Sequence, residues 1–102
     1  MSLDMQRIRR EALRWLILLR LNNARPVGAF ESVVLSVARS EYPDASQLEL
    51  RIQLDYLDDR RLVKVIKKPE GRWFCDLTRH GIDVAEYTVD VEPGIARPEK
   101  YW

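Results

Sequence analysis

The 102-residue sequence predicts a mainly α-helical domain with a small β-hairpin, on three observations. Leu50, Leu54 and Leu57 recur at helical spacing behind a start signal at Ser46. Two short β-branched or aromatic runs, Leu62-Val63-Lys64-Val65-Ile66 and Trp73-Phe74-Cys75-Asp76-Leu77, flank the turn sequence Lys68-Pro69-Glu70-Gly71. A separate helical pattern, Phe30 to Glu41, stands just before Ser46 across the break Tyr42-Pro43-Asp44-Ala45. Helix, short turn, capped helix, hairpin and a further helix start is the order of a winged helix-turn-helix. The expected architecture is three helices plus a wing, a short C-terminal helix, and an extended C-terminal arm. Residues 1–87 form the domain in this reading and 88–102 the arm.

The first helix is read from Leu3 to about Asn22. Ile8, Ala12, Trp15, Leu16 and Leu19 make one stripe, and Leu13, Ile17, Leu18 and Leu21 widen it until the last turns are apolar almost all round. A helix apolar on more than one face is buried from more than one side. In a domain this small, a second subunit is one candidate for the second side and the chain's own core is the other. A dimer interface through Trp15, Ile17, Leu18 and Leu21, joined by the terminal Tyr101 and Trp102, follows from the first. Asn22 to Gly28 is a turn-rich break. The second helix, from Phe30, buries Phe30, Val33, Val34, Val37 and Ala38. Its valines are mediocre helix formers, so packing must hold it together.

Ser46 with Glu49 three residues on is a capping box opening the third helix, which runs to about Arg61. Its leucines face inward, and Gln47, Arg51, Gln53, Asp55 and Asp58 are read as the outward face. In the hairpin turn, Pro69 and Gly71 take the second and fourth positions of a type I turn. Thr78 caps a last helix to about Tyr87, and Gly81 in its first turn allows close approach to the hairpin. The arm alternates Val89 and Val91 with acids, is broken by Pro93-Gly94 and Pro98, and ends in aromatics. It reads as a strap over this domain or over a neighbouring subunit.

Composition sets the class. About 46% apolar and 32% charged residues suit a folded single domain. Net charge is only +1, so the molecule is not a polybasic nucleic-acid binder as a whole. Charge is nevertheless uneven. Arg7, Arg9, Arg10, Arg14, Arg20 and Arg25 face only Asp4 and Glu11 at the start, while acids outnumber bases after Ile82. One cysteine, Cys75, excludes an intrachain disulfide and a multi-cysteine zinc site, and fits a reducing cytoplasm. The apolar run Leu16 to Leu19 is interrupted by Arg20 and is too short to span a bilayer, so neither signal peptide nor membrane anchor is expected.

No enzyme is expected. His80 is the only histidine and follows the Thr78 cap, which suits a surface or capping role. Asp58-Asp59 reads as solvated charge, and Cys75 as a small core residue. There is no glycine-rich phosphate loop and no metal-ligand spacing, so no cofactor, metal or small-molecule ligand is predicted.

Arg14-Trp15-Leu16-Ile17-Leu18-Leu19, the Ser46 cap, Leu50-Arg51 through Leu57, Leu62-Val63, Leu77-Thr78-x-x-Gly81-x-Asp83-Val84-Ala85 and Pro93-Gly94-Ile95-x-Arg97-Pro98 resemble the small winged-helix proteins encoded by Mu-like phages and prophages. The resemblance spans nearly the whole chain. It implies the winged-helix fold, a bacterial cytoplasmic setting and a regulator-like DNA-binding role, with no established activity. One departure stands out: Arg60-Arg61 occupies a turn where the family has a glycine.

Two functions compete. As a dimeric DNA-binding regulator, the chain would read base edges of double-stranded DNA with Gln47, Arg51 and Gln53 and hold phosphates with Lys64, Lys67, Lys68 and Arg72. The same lysines also fit a solvated, edge-protected hairpin. As a protein-interaction module of phage assembly or regulation it would not touch DNA. The segment Asp44 to Arg61 carries five acids (Asp44, Glu49, Asp55, Asp58, Asp59) against three arginines (Arg51, Arg60, Arg61), a net of −2, and that opposes DNA.

Overall fold

The computed structural model describes residues 3–101. Helix α1 spans Leu3–Asn23, strand β1 Ala29–Phe30, α2 Glu31–Glu41, α3 Gln47–Asp59, β2 Val63–Lys67, β3 Trp73–Leu77 and α4 Arg79–Ala85. These make a mainly helical domain with a small antiparallel sheet in the order β1-β3-β2. The sheet has one strand more than the predicted hairpin. Gly28 lies in the left-handed region at φ +79°, and a Cβ there would sit 2.7 Å from the Cys75 carbonyl oxygen. The chain therefore passes close beside β3, and the next two residues pair with it: Ala29 opposite Cys75, Phe30 opposite Phe74. Phe30 is thus a strand residue with its ring edge-on to Phe74. It is not the first inward residue of α2, whose buried positions are Glu31, Val34 and Ala38.

The hairpin has the predicted turn. Gly71 N–H donates to the Lys68 carbonyl and Lys68 N–H to the Arg72 carbonyl, with Gly71 at φ +94°. This is a type I turn closed by a left-handed glycine. Helix α3 starts where Ser46 Oγ accepts from Glu49 N–H at 3.0 Å. Only half of the capping box forms, because the Glu49 carboxylate takes Arg9 instead, at 2.7 and 2.8 Å. The helix ends without glycine. Arg61 adopts φ +60°, Leu62 N–H reaches the Leu57 carbonyl and Arg61 N–H the Asp58 carbonyl, which is a Schellman closure. Thr78 Oγ1 then ties α4 to that turn, accepting from Gly81 N–H and donating to the Arg61 carbonyl at 2.6 Å. The expected closeness of Gly81 is extreme: a Cβ would lie 2.0 Å from the Leu62 carbonyl oxygen.

Helix α1 is the central element and packs against α2, α3, α4 and β3. Its inward side is Leu13, Ile17, Leu18 and Leu21, all essentially inaccessible. Ile17, Leu18 and Leu21 meet Val34, Leu50, Leu54, Leu57, Val63, Cys75 and Val84 in the core, and Leu13 packs with Ala38 and Ala45. That corrects the dimer interface predicted through Ile17, Leu18 and Leu21, because the chain's own core already encloses them. Of the predicted interface, Trp15 is half-buried and stacks edge-on to Tyr87, Tyr101 is exposed, and Trp102 lies outside the described residues. The stripe Ile8 to Leu19 is the outer side: Ile8 is 60% and Leu19 43% exposed.

The C-terminal segment closes over its own domain. Ile95 is buried. Ala96 N–H donates to the Glu11 carbonyl of α1 at 3.1 Å. Arg97 donates to the Val84 and Val89 carbonyls, and Tyr87 Oη to the Pro98 carbonyl.

Candidate functional site

The residues predicted to read bases lie on α3, so its faces decide what that helix can do. At 100° per residue, Leu50, Leu54 and Leu57 point inward and Leu48, Ile52, Asp55 and Asp59 point the opposite way. The structure follows this geometry. Leu48 is 69% and Ile52 54% exposed. The predicted readers lie on the flanks or inside. Gln53 is 2% exposed, and its Oε1 accepts from Arg14 Nε at 2.8 Å. It therefore cannot reach a base edge, contrary to expectation; it sits about 40° from Leu57 on the helix wheel, on the side that α1 covers.

Arg51 and Gln47 are held by a buried acid. Glu31, 5% exposed, is the first residue of α2. Arg51 Nε donates to Glu31 Oε2 at 2.7 Å, Arg51 Nη2 to Glu31 Oε1, and Gln47 Nε2 to Glu31 Oε1 at 3.2 Å. Arg51 Nη2 also donates to the Gly71 carbonyl of the hairpin turn at 2.6 Å, and the guanidinium lies 4.5 Å over the Trp73 ring. The hydrogen bonds to Glu31 hold this guanidinium above its ordinary pKa. Arg51 is a clamp that joins α2, α3 and the hairpin. Removing it leaves a carboxylate buried without its partner, a costly arrangement.

The hairpin cations fall into two groups. Lys67 Nζ is 3.3 Å from Asp55 and 4.5 Å over the Trp73 ring. Arg72 is 3.2 Å from Glu70 and covers the Phe30 ring at 4.4 Å. Lys64, on the other face of β2, is exposed opposite Asp76. Among the described residues, Lys64 and Lys68 form no ion pair within 4.0 Å. The structure therefore brings α3 and the hairpin together as predicted, with Arg51 engaged by Glu31 of α2, Lys67 by Asp55 across the seam and Arg72 by Glu70 within the turn.

On the opposite flank of α3, a shallow groove separates it from α1. Gln6 and Arg10 line the α1 side, Leu48 and Ile52 the α3 side, with the Arg9–Glu49 pair between them. Further along, Arg14 links three elements. Besides Gln53, it donates to the Gly94 carbonyl of the strap at 2.9 Å and lies 3.5 Å over the Tyr56 ring. Burial pulls its pKa below the ordinary value.

Cys75 is buried, and desolvation pushes its thiol up to about 12, so it remains a protonated core residue. His80 is exposed on α4. Among the described residues, no group of three or more His, Cys, Asp or Glu side chains is placed to hold a metal ion, and no helix is long and apolar enough to cross a membrane. Sequence reasoning missed Glu31, Leu48 and Ile52. The last two were readable from the same helical arithmetic that found the leucine stripe. Glu31 carried no such signal, since an acid in a first helical turn is ordinarily exposed. No protein-family model matches the chain, and no curated protein matches it.

Proposed function

We propose that this chain is a winged-helix-like protein-interaction module that docks a protein partner on the outward face of α3. The element order, the three-stranded sheet and the resemblance to small proteins of Mu-like phages support the winged-helix part. One observation carries the docking part: the outward face of α3 is Leu48 and Ile52, followed by Asp55 and Asp59. A helix entering the major groove needs donors and cations there, with phosphate contacts around them. Two exposed aliphatic side chains beside two carboxylates suit instead an apolar anchor of another protein. Charge defines that partner further. Arg10 borders the groove on the α1 side, while Asp55, paired with Lys67, and Asp59 lie outside the groove, further along α3. The complementary surface has an acidic flank, an apolar centre and a basic flank.

The test is affinity capture from lysate of the source cells on immobilised wild-type protein and on Leu48→Glu with Ile52→Glu. Both positions are exposed, so the fold should persist. The expected result is at least one protein retained by the wild type at stoichiometric amount and lost by the variant. Equal retention by both would overturn the docking face. A second reading, duplex DNA as partner, rests on Lys64 and Lys68 of the hairpin, which form no ion pair within 4.0 Å among the described residues.

A further inference from the structure

The hairpin has one strand edge that the sheet leaves unpaired. The order β1-β3-β2 bonds β2 on one side only. Lys68 N–H donates to the Arg72 carbonyl and Thr78 N–H to the Leu62 carbonyl. These bonds put the even-numbered residues of β2 at the hydrogen-bonded pairs with β3, because such pairs alternate along an antiparallel ladder. The N–H and C=O groups of Val65 and Lys67 therefore point away from β3. Among the described residues, nothing hydrogen-bonds them there.

Side chains alternate across the same strand. Val63 and Val65 pack toward the core, and Lys67 reaches Asp55 of α3. Lys64 and Ile66 take the opposite face, and Lys68 follows them in register at the turn. Ile66 is 39% exposed and lies outside the core, in line with Phe74 and Phe30 of the neighbouring strands. The acids of the hairpin are engaged elsewhere, Glu70 by Arg72 and Asp76 by Leu77 N–H at 2.9 Å. Two lysines thus flank an exposed isoleucine beside an open edge.

We propose that β2 accepts an extended acidic segment of a protein partner as a further strand. Such strands take their affinity from main-chain hydrogen bonds at the edge and their specificity from alternate side chains. Here the bonds go to Val65 and Lys67. The side chains set beside Lys64, Ile66 and Lys68 are an acid, an aliphatic and an acid, because opposite charges and apolar pairs stabilise cross-strand neighbours. The same rule excludes β2 of a second copy: pairing antiparallel about Ile66 would set Lys64 against Lys68 of the other copy, twice. Single-stranded nucleic acid fits less well. Base stacking needs open ring faces, whereas Arg72 covers the Phe30 ring at 4.4 Å and the Phe74 ring lies over Gly28.

The test titrates the isotope-labelled full chain with a capped peptide, Thr-Glu-Thr-Val-Thr-Glu-Thr, up to about 1 mM, and with its counterpart carrying lysine for both glutamates. The amide resonances of Val65 and Lys67 should move most, and those of Leu48 and Ile52 should stay in place, so this result is separable from that of the α3 face. The glutamate peptide should bind about tenfold tighter than the lysine peptide, the effect of two cross-strand charge pairs. Lys64→Glu with Lys68→Glu should reverse that preference, an outcome that an unfolded variant cannot give. Largest shifts elsewhere or none at all, equal binding of the two peptides, or a preference that does not reverse in the double variant overturns the proposal. So does a single-stranded oligonucleotide that moves the Val65 and Lys67 amides at lower concentration than the peptide.

Discussion

Arg61 holds a backbone conformation that side chains other than glycine adopt at a cost of about 1–2 kcal/mol. It does so because Leu62 must turn inward directly after α3 and Gly81 must slip under the Leu62 carbonyl. The sequence showed that this turn lacked glycine; only the structure shows which residue takes the strain. Arg61→Gly should therefore stabilise the domain by about 0.5–1 kcal/mol, read as a higher midpoint in urea with an unchanged slope. No gain would mean that Arg61 is not strained in solution. Gly81→Ala should act the other way. Its methyl meets main chain, which cannot swing aside, and the loss should be about 2–3 kcal/mol or more. A loss below about 0.5 kcal/mol would contradict the packing of α4 on the turn. The two glycine-dependent contacts differ in legibility for a plain reason. Gly81 follows a recognisable cap, whereas Gly28 depends on a third strand that two residues cannot announce.

For the helices and the strap, periodicity identified each helix, but it did not fix which side faces inward. On α1 both stripes are apolar, so composition could not choose between them. Contacts with α3, α4 and the sheet select Leu13, Ile17, Leu18 and Leu21. On α3 the leucines were assigned correctly, and the error lay in counting Gln53 as outward and leaving out Leu48 and Ile52. Buried polar partners such as Arg14 for Gln53 and Glu31 for Arg51 arise from tertiary placement at sequence separations of 39 and 20 residues, which no local pattern encodes. The strap was legible as a strap, and the structure adds where it lies. Ile95 anchors it on its own domain, between hydrogen bonds from Arg14 to Gly94 and from Arg97 to Val84 and Val89. Ile95→Ala should cost about 2–4 kcal/mol in thermal or chemical unfolding. A cost under about 0.5 kcal/mol would mean that the strap is not docked in solution.

Across the protein surface, a net charge of +1 conceals how the cations are placed. Arg9, Arg51 and Lys67 are each matched to an acid across a seam of the domain, and Arg72 to Glu70 in the exposed hairpin turn. A surface that greets phosphate needs such groups unpaired and on one side. The outward face of α3 offers leucine, isoleucine and aspartate instead. The proposed docking of a protein, and not of DNA, rests on this distribution, which bears directly on salt dependence. The decisive measurement is the affinity for a labelled mixed-sequence duplex as salt rises from about 50 to 200 mM, for the wild type and for Lys64→Glu with Lys68→Glu. Weak binding with a log–log slope shallower than about −2, equivalent to two phosphates at most, is the predicted result. A slope of about −5 or steeper, abolished in the double variant, would mean that the α3 and hairpin surface engages DNA and that the protein-docking function is wrong.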